Sequence, residues 1–234
     1  MATATVQIKA RRHTQTLRGQ LRQITHASHQ QLDDMMRERT GWHSCDSYIE
    51  FLKLQYQARR PVEGWLIANA PEHLRPPLQC DLILQDLTAL GMGKRLDASS
   101  TSETPFDIGS GSKAEREAKS LGAAWTLAGS SLGNRSILKE IGQSSSHSES
   151  APWPHSFLAD PKMLAFWGNL RRLIERPAAE TEICQASQAS LAVFDHFIMM
   201  LRDQTQKTKA ADLTASKADA TSASQSFSCP AISL

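Results

Sequence analysis

Leu21-Arg22-Gln23-Ile24-Thr25-His26-Ala27-Ser28-His29-Gln30-Gln31-Leu32-Asp33 carries the period that decides the fold. With its flanks, Leu17, Leu21, Ile24, Ser28, Leu32 and Met35 recur every three or four residues, the repeat of one α-helical face. Arg22, Thr25 and His29 keep the same spacing on a strip beside that stripe, so His29 stands at the edge of the buried side. Seven residues of helix rise about 10 Å. Arg22 and His29 therefore suit a ligand with a metal at one end and a carboxylate at the other. Taken alone, the pattern reads more simply as a hydrogen-bonded boundary histidine beside a solvated arginine.

The helical period recurs outward from this stretch. Tyr48, Phe51, Leu52 and Tyr56 mark a second helix over residues 46–58, and Pro61 suits the first turn of a short third helix carrying Trp65 and Leu66. Pro77 opens a fourth, with Leu78, Leu82, Leu87 and Leu90, and Gly91 suits its end. A fifth spans 113–141. Asp160-Pro161 supplies an N-cap and a first-turn proline for a sixth, which carries Leu164, Trp167, Leu170 and Ile174 and ends at Pro177. The seventh, over 178–205, carries Ile183, Leu191, Phe194, Ile198 and Leu201. Strand-like alternation is nowhere sustained. The expectation is an all-α, single-domain multi-helical fold over residues 15–205.

Polar stretches frame that domain. Residues 1–14 read as a loose basic arm, and 97–112 and 143–155 as loops rich in Ser, Thr, Gly and other polar residues. Residues 206–234 are dominated by Ala, Ser, Thr and Lys, too polar to offset their ordering entropy, and read as a disordered tail. Over the whole chain of 234 residues, 40% hydrophobic content suffices for a core. No apolar run approaches the ~18 residues of a membrane span, and the first residues lack the hydrophobic segment of a secretory signal. Cys45, Cys80, Cys184 and Cys229 form no CxxC pair, which argues against a disulfide scaffold or zinc ribbon and for a reducing cytoplasm. A net charge of +2 is smaller than nucleic-acid binders usually carry.

A second segment also bears on chemistry: Gly122-Ala123-Ala124-Trp125-Thr126-Leu127-Ala128-Gly129-Ser130-Ser131-Leu132-Gly133-Asn134-Arg135. Gly129 and Gly133 fall inside a helix, where each costs about 1 kcal/mol relative to Ala. Their four-residue spacing puts both on one face, where the bare backbone can approach a flat partner. Ser130 and Ser131 can compete for backbone carbonyls there. Alone, the segment also fits a helix break or a close helix crossing. His26 precedes His29 by three, a spacing that can ligate one metal, but the sequence is read as offering no carboxylate partner on that face. Asp33-Asp34 and Glu175-Arg176 read as solvated faces, and Trp42, Trp65 and Trp167 as core.

Together the two segments resemble the bacterial biliverdin-producing haem oxygenases. That family carries an LRxxTxxxHxxLD-like first helix and a GSxLG helix, matched here by Leu21-Arg22, Thr25, His29, Leu32-Asp33 and by Gly129-Ser130-Ser131-Leu132-Gly133. The likeness extends weakly through FLKLQYQARRPVEGWL, DLTALG and AVFDHFIMML, across most of residues 17–202. It implies a haem oxygenase-like fold with haem between the two helices. His29 corresponds to the proximal iron ligand, Arg22 to a propionate partner, and Gly129, Ser130 and Gly133 to the distal catalytic wall, with Asn134 beside the cofactor. It also implies haem as substrate and prosthetic group, O₂, an external electron donor such as ferredoxin or another reductase, and a bacteriophytochrome as one acceptor of biliverdin. No nucleic-acid or membrane partner is implied. The chain departs from the family pattern at Ser130, where mammalian-type members have Asp. It departs again at Trp125 (often Tyr), at Ala128 (acidic) and at Asn134 (Gly). A haem-transfer protein without turnover, or a helical interaction module of the same fold, would share parts of this pattern.

Overall fold

The computed structural model describes residues 16–39, 42, 44–92, 105–145 and 153–224. Six α-helices follow in order: α1 (Leu17–Arg39), α2 (Cys45–Asn69), α3 (Cys80–Ala89), α4 (Lys113–Ser145), α5 (Pro161–Ile174) and α6 (Glu180–Ser224). A short 3₁₀ turn, Glu72–Leu74, joins α2 to α3, and no strand occurs among the described residues. The expected arm over 1–14 lies outside the described residues.

Local chemistry sets the helix ends. Ser44 and Ser47 form a reciprocal capping box at the start of α2. Ser112 and Glu115 form another before α4, with the Ser112 amide donating to Glu115 Oε2 at 2.7 Å. Asp160 caps α5 by accepting from the Lys162 and Met163 amides, ahead of Pro161, as the sequence indicates. Gly91 takes φ 81° after α3, and the Gly91 and Met92 amides reach back to the Thr88 and Leu87 carbonyls. That pairing is a Schellman stop, which needs the left-handed residue that glycine supplies.

Three boundaries differ from the sequence reading. Pro61 does not open a new helix but lies inside the continuous α2. Proline removes one backbone hydrogen bond, and the core contacts of Ala58, Val62, Trp65 and Leu66 on either side hold the helix through it. Residues 75–79 form no helix, since a proline disfavours helix in the residue before it, and α3 starts at Cys80. α6 runs on to Ser224, well into the stretch read as a disordered tail. A packed helix already supplies the costly nucleus, and the Ala- and Lys-rich continuation propagates it readily.

α6 is the axis of the molecule. α4 and α1 pack along it, α2 packs against it, and α1 and α4 hardly touch each other. Leu17, Leu21, Val193 and Phe197 belong to one core cluster with Leu121, Ala124, Leu127 and Trp167. A second cluster gathers Tyr48, Phe51, Leu52, Ile83, Leu87, Phe157 and Leu201. Within the second cluster, buried Asp86 of α3 accepts from the Ser156 and Phe157 amides at 2.9 and 3.0 Å. Among the described residues no helix is long and apolar enough to cross a membrane.

Candidate functional site

The helical register puts Leu17 and Leu21 in the core and leaves His29 exposed, with 59% of its side chain accessible. Its ring sits edge-on to Phe194 of α6 at 5.9 Å, and Nδ1 meets Asp33 Oδ2 at 3.1 Å. Hydrogen bonding to Asp33, opposed by partial burial, raises the His29 pKa above its ordinary value. With Nδ1 engaged by Asp33, Nε2 is the ring nitrogen that could take a further partner. Arg22 lies two turns away on the same side of α1 and is exposed. Arg18, one turn further, is held by Glu175 at 2.8 Å. Thr25 is buried and donates to the Leu21 carbonyl.

On α4, an added Cβ at Gly133 would meet nothing within 4 Å, and one at Gly129 would meet only the Trp167 ring at 3.7 Å. Trp125 lies 4.7 Å from Trp167, so the backbone strip at Gly129 is flanked by aromatic rings. Both serine hydroxyls bond to helix carbonyls, Ser130 to Leu127 and Ser131 to Ala128, each at 2.7 Å. The helix continues through them.

Two pairs of contacts align these strips. Gly122 abuts Ala186, Thr126 bonds Ser190 at 2.6 Å, and both pairs are 64 residues apart, so α4 runs parallel to α6 in register. One turn beyond Ser190 stands Phe194, the residue against His29; one turn beyond Thr126 stands Ser130. His29 and the Gly129–Gly133 strip therefore lie at the same height along α6. α1 and α4 scarcely touch each other there, each packing instead on α6.

Asn134 is not with the glycines. It lies about 140° around the helix from Gly129, is buried, and lines a cavity of about 210 Å³ with Ser131, Phe157, Asp160 and Met163. His26 is exposed beside His29. Trp42, Trp65 and Trp167 are core residues, as their sequence context indicates. Glu175-Arg176 is an ion-paired corner: Glu175 takes Arg18, and Arg176 takes Glu182.

Two residues escaped the sequence reading. Gly122 is where α4 and α6 cross, and a Cβ there would stand 1.9 Å from the Ala186 carbonyl oxygen. Arg59 is completely buried and donates from Nη2 to Ser130 at 2.6 Å, across 71 positions of sequence. The small residues around 186–190 hint at the crossing; nothing local announces the arginine. Comparison with protein-family models, characterised proteins and solved structures finds no match for this chain.

Proposed function

We propose that the chain is a cytoplasmic haem oxygenase, with haem as substrate in a cleft between α1 and α4. The supporting observation is the common height, over α6, of an exposed imidazole on one helix and a side-chain-free backbone strip on the other. The residues present fit the group. A planar macrocycle needs a wall without Cβ atoms, which Gly133 offers with open space before it while the Trp167 ring lies over Gly129, and a neutral nitrogen ligand, which His29 offers. Arg22 offers a cation for a propionate along the same side of α1.

Bound haem, with O₂ and electrons from ferredoxin or another reductase, supplies the oxidative chemistry that opens the ring to biliverdin and releases CO and ferrous iron. The chain's own residues bind and orient. Asp33 holds His29 Nδ1, fixing the ring and raising the basicity of Nε2. Gly133 keeps a side chain off the opposite face. The Ser130 hydroxyl donates to the Leu127 carbonyl and accepts from Arg59, so it offers the cleft a lone pair and no proton. A proton for the reaction therefore comes from water ordered on the α4 backbone rather than from this side chain.

The test is turnover. With ferric haem, O₂ and ascorbate or ferredoxin, the reading predicts loss of the haem spectrum and extraction of biliverdin. A haem complex that never opens the ring would make the protein a haem carrier. Absence of haem binding would leave a helical interaction module.

A further inference from the structure

Arg59 is the most deeply buried cation described. Its side chain threads from α2 to α4, with Nε donating to Gln55 at 3.0 Å and Nη2 to Ser130 at 2.6 Å; the guanidinium lies over the Phe157 ring at 5.0 Å. Nη1 is buried with no hydrogen-bond partner. The acid one turn away, Glu63, is occupied with the Gln79 amide at 3.0 Å and the Cys80 amide at 3.4 Å, and no carboxylate forms an ion pair with Arg59 among the described residues. A buried, incompletely paired charge is costly, and a hydrophobic residue of similar volume is often no less stable in such a place. Its retention needs a reason beyond stability.

The geometry points to Arg59 as a positioning residue for the α4 wall: it clamps Ser130 and sets a positive charge to one side of the Gly129–Gly133 strip. Two consequences follow. The clamp fixes the backbone that faces the cleft, because Ser130 is the residue between the glycines that α2 grips. Buried Glu63, one turn away, offsets part of the charge, and what remains favours an anion over a neutral molecule on the cleft side. Through a protein interior, a unit charge about 10 Å from a ligand changes anion affinity on the order of tenfold.

The second consequence rests on the haem reading; the first does not. The experiment therefore has two arms, run on full-length wild type, Arg59→Met, Arg59→Lys and Ser130→Ala. In the haem-free protein, amide hydrogen exchange over 129–133 is followed. Arg59→Met and Ser130→Ala should speed it to a similar extent, while amides in α1 keep their wild-type rates. In the ferric haem complex, azide and imidazole are titrated separately. Arg59→Met should weaken azide on the order of tenfold and leave imidazole unchanged, whereas Arg59→Lys, which keeps the charge, should hold azide near wild type. If Arg59→Met does not fold, Arg59→Lys still reads the clamp, because an ammonium cannot span Gln55 and Ser130 with one fork and the 129–133 amides should exchange faster. Unchanged exchange in Arg59→Lys and Ser130→Ala overturns the clamp. Equal losses for azide and imidazole in Arg59→Met overturn the electrostatic role. A wild-type protein that takes no haem defeats the haem reading and leaves the exchange arm to decide the clamp.

Discussion

His196 and His29 are two histidines of one bundle with opposite acid–base behaviour, and the difference lies in what each touches. His196 is buried beside Phe106 and Phe197, and its Nε2 has no partner; burial lowers its pKa despite a hydrogen bond with the Ala58 backbone. The unfolded chain takes up a proton below the ordinary value of 6.5 while the folded chain resists it. Stability should therefore fall as pH drops from 6.5 toward the lowered value and stay level, for this group, above it. His196→Leu should flatten that acid slope in Tm; parallel slopes for variant and wild type would contradict it. His29 runs the other way, since Asp33 raises its pKa. Its contribution to stability is present below the ordinary value and lost as pH rises through the raised one. Iron needs the neutral ring, so haem affinity should decline as pH falls through the raised pKa. Asp33→Asn should move that decline to lower pH, as read by haem titration at several pH values. The sequence expects His29 at the edge of the buried face, where the structure leaves its ring largely exposed; the Asp33 partnership and the burial of His196 are not legible in the sequence.

Among the elements, α4 holds glycines with different duties. Gly122 serves packing: Ala there gains about 1 kcal/mol of helix propensity but drives a Cβ into the Ala186 carbonyl, 1.9 Å away. Overpacking of that kind costs about 1–3 kcal/mol or more, so Gly122→Ala should lower Tm, and an unchanged Tm would show that α4 and α6 separate freely. Gly133 has open space before it. Gly133→Ala should raise the Tm of the haem-free protein, reflecting up to about 1 kcal/mol, and at the same time weaken haem binding. A stabilised variant with wild-type haem affinity would show that the strip faces no ligand. The sequence identifies this helix and its two glycines through spacing alone. It does not separate a packing glycine from a cleft glycine, because that depends on which neighbour lies across. The same reason explains Pro61: the local rule predicts a break, and core contacts on both sides of the proline override it. Where a boundary is settled by chemistry within four residues, as at Asp160-Pro161 or Gly91, sequence and structure agree.

Over the whole molecule, the all-helical class is legible from periodicity, since amphipathic stripes report which face is buried. Two things are not. The reach of α6 to Ser224 depends on propagation from a packed segment rather than on the apolar content of the continuation. The tie from Arg59 to Ser130 joins residues 71 apart in sequence, which no short-range pattern encodes. What the assembled molecule adds to the sequence is coincidence in space: His29 and the glycine strip occupy one level of the α6 axis, on helices that scarcely touch each other. The central claim is that haem binds there through His29. Optical titration with ferric haem, comparing wild type with His29→Ala and His26→Ala, tests it most directly. The account predicts a one-to-one complex with a histidine-ligated spectrum in wild type and His26→Ala, and loss of that spectrum in His29→Ala. A ligated spectrum that survives His29→Ala, or disappears with His26→Ala instead, would contradict it.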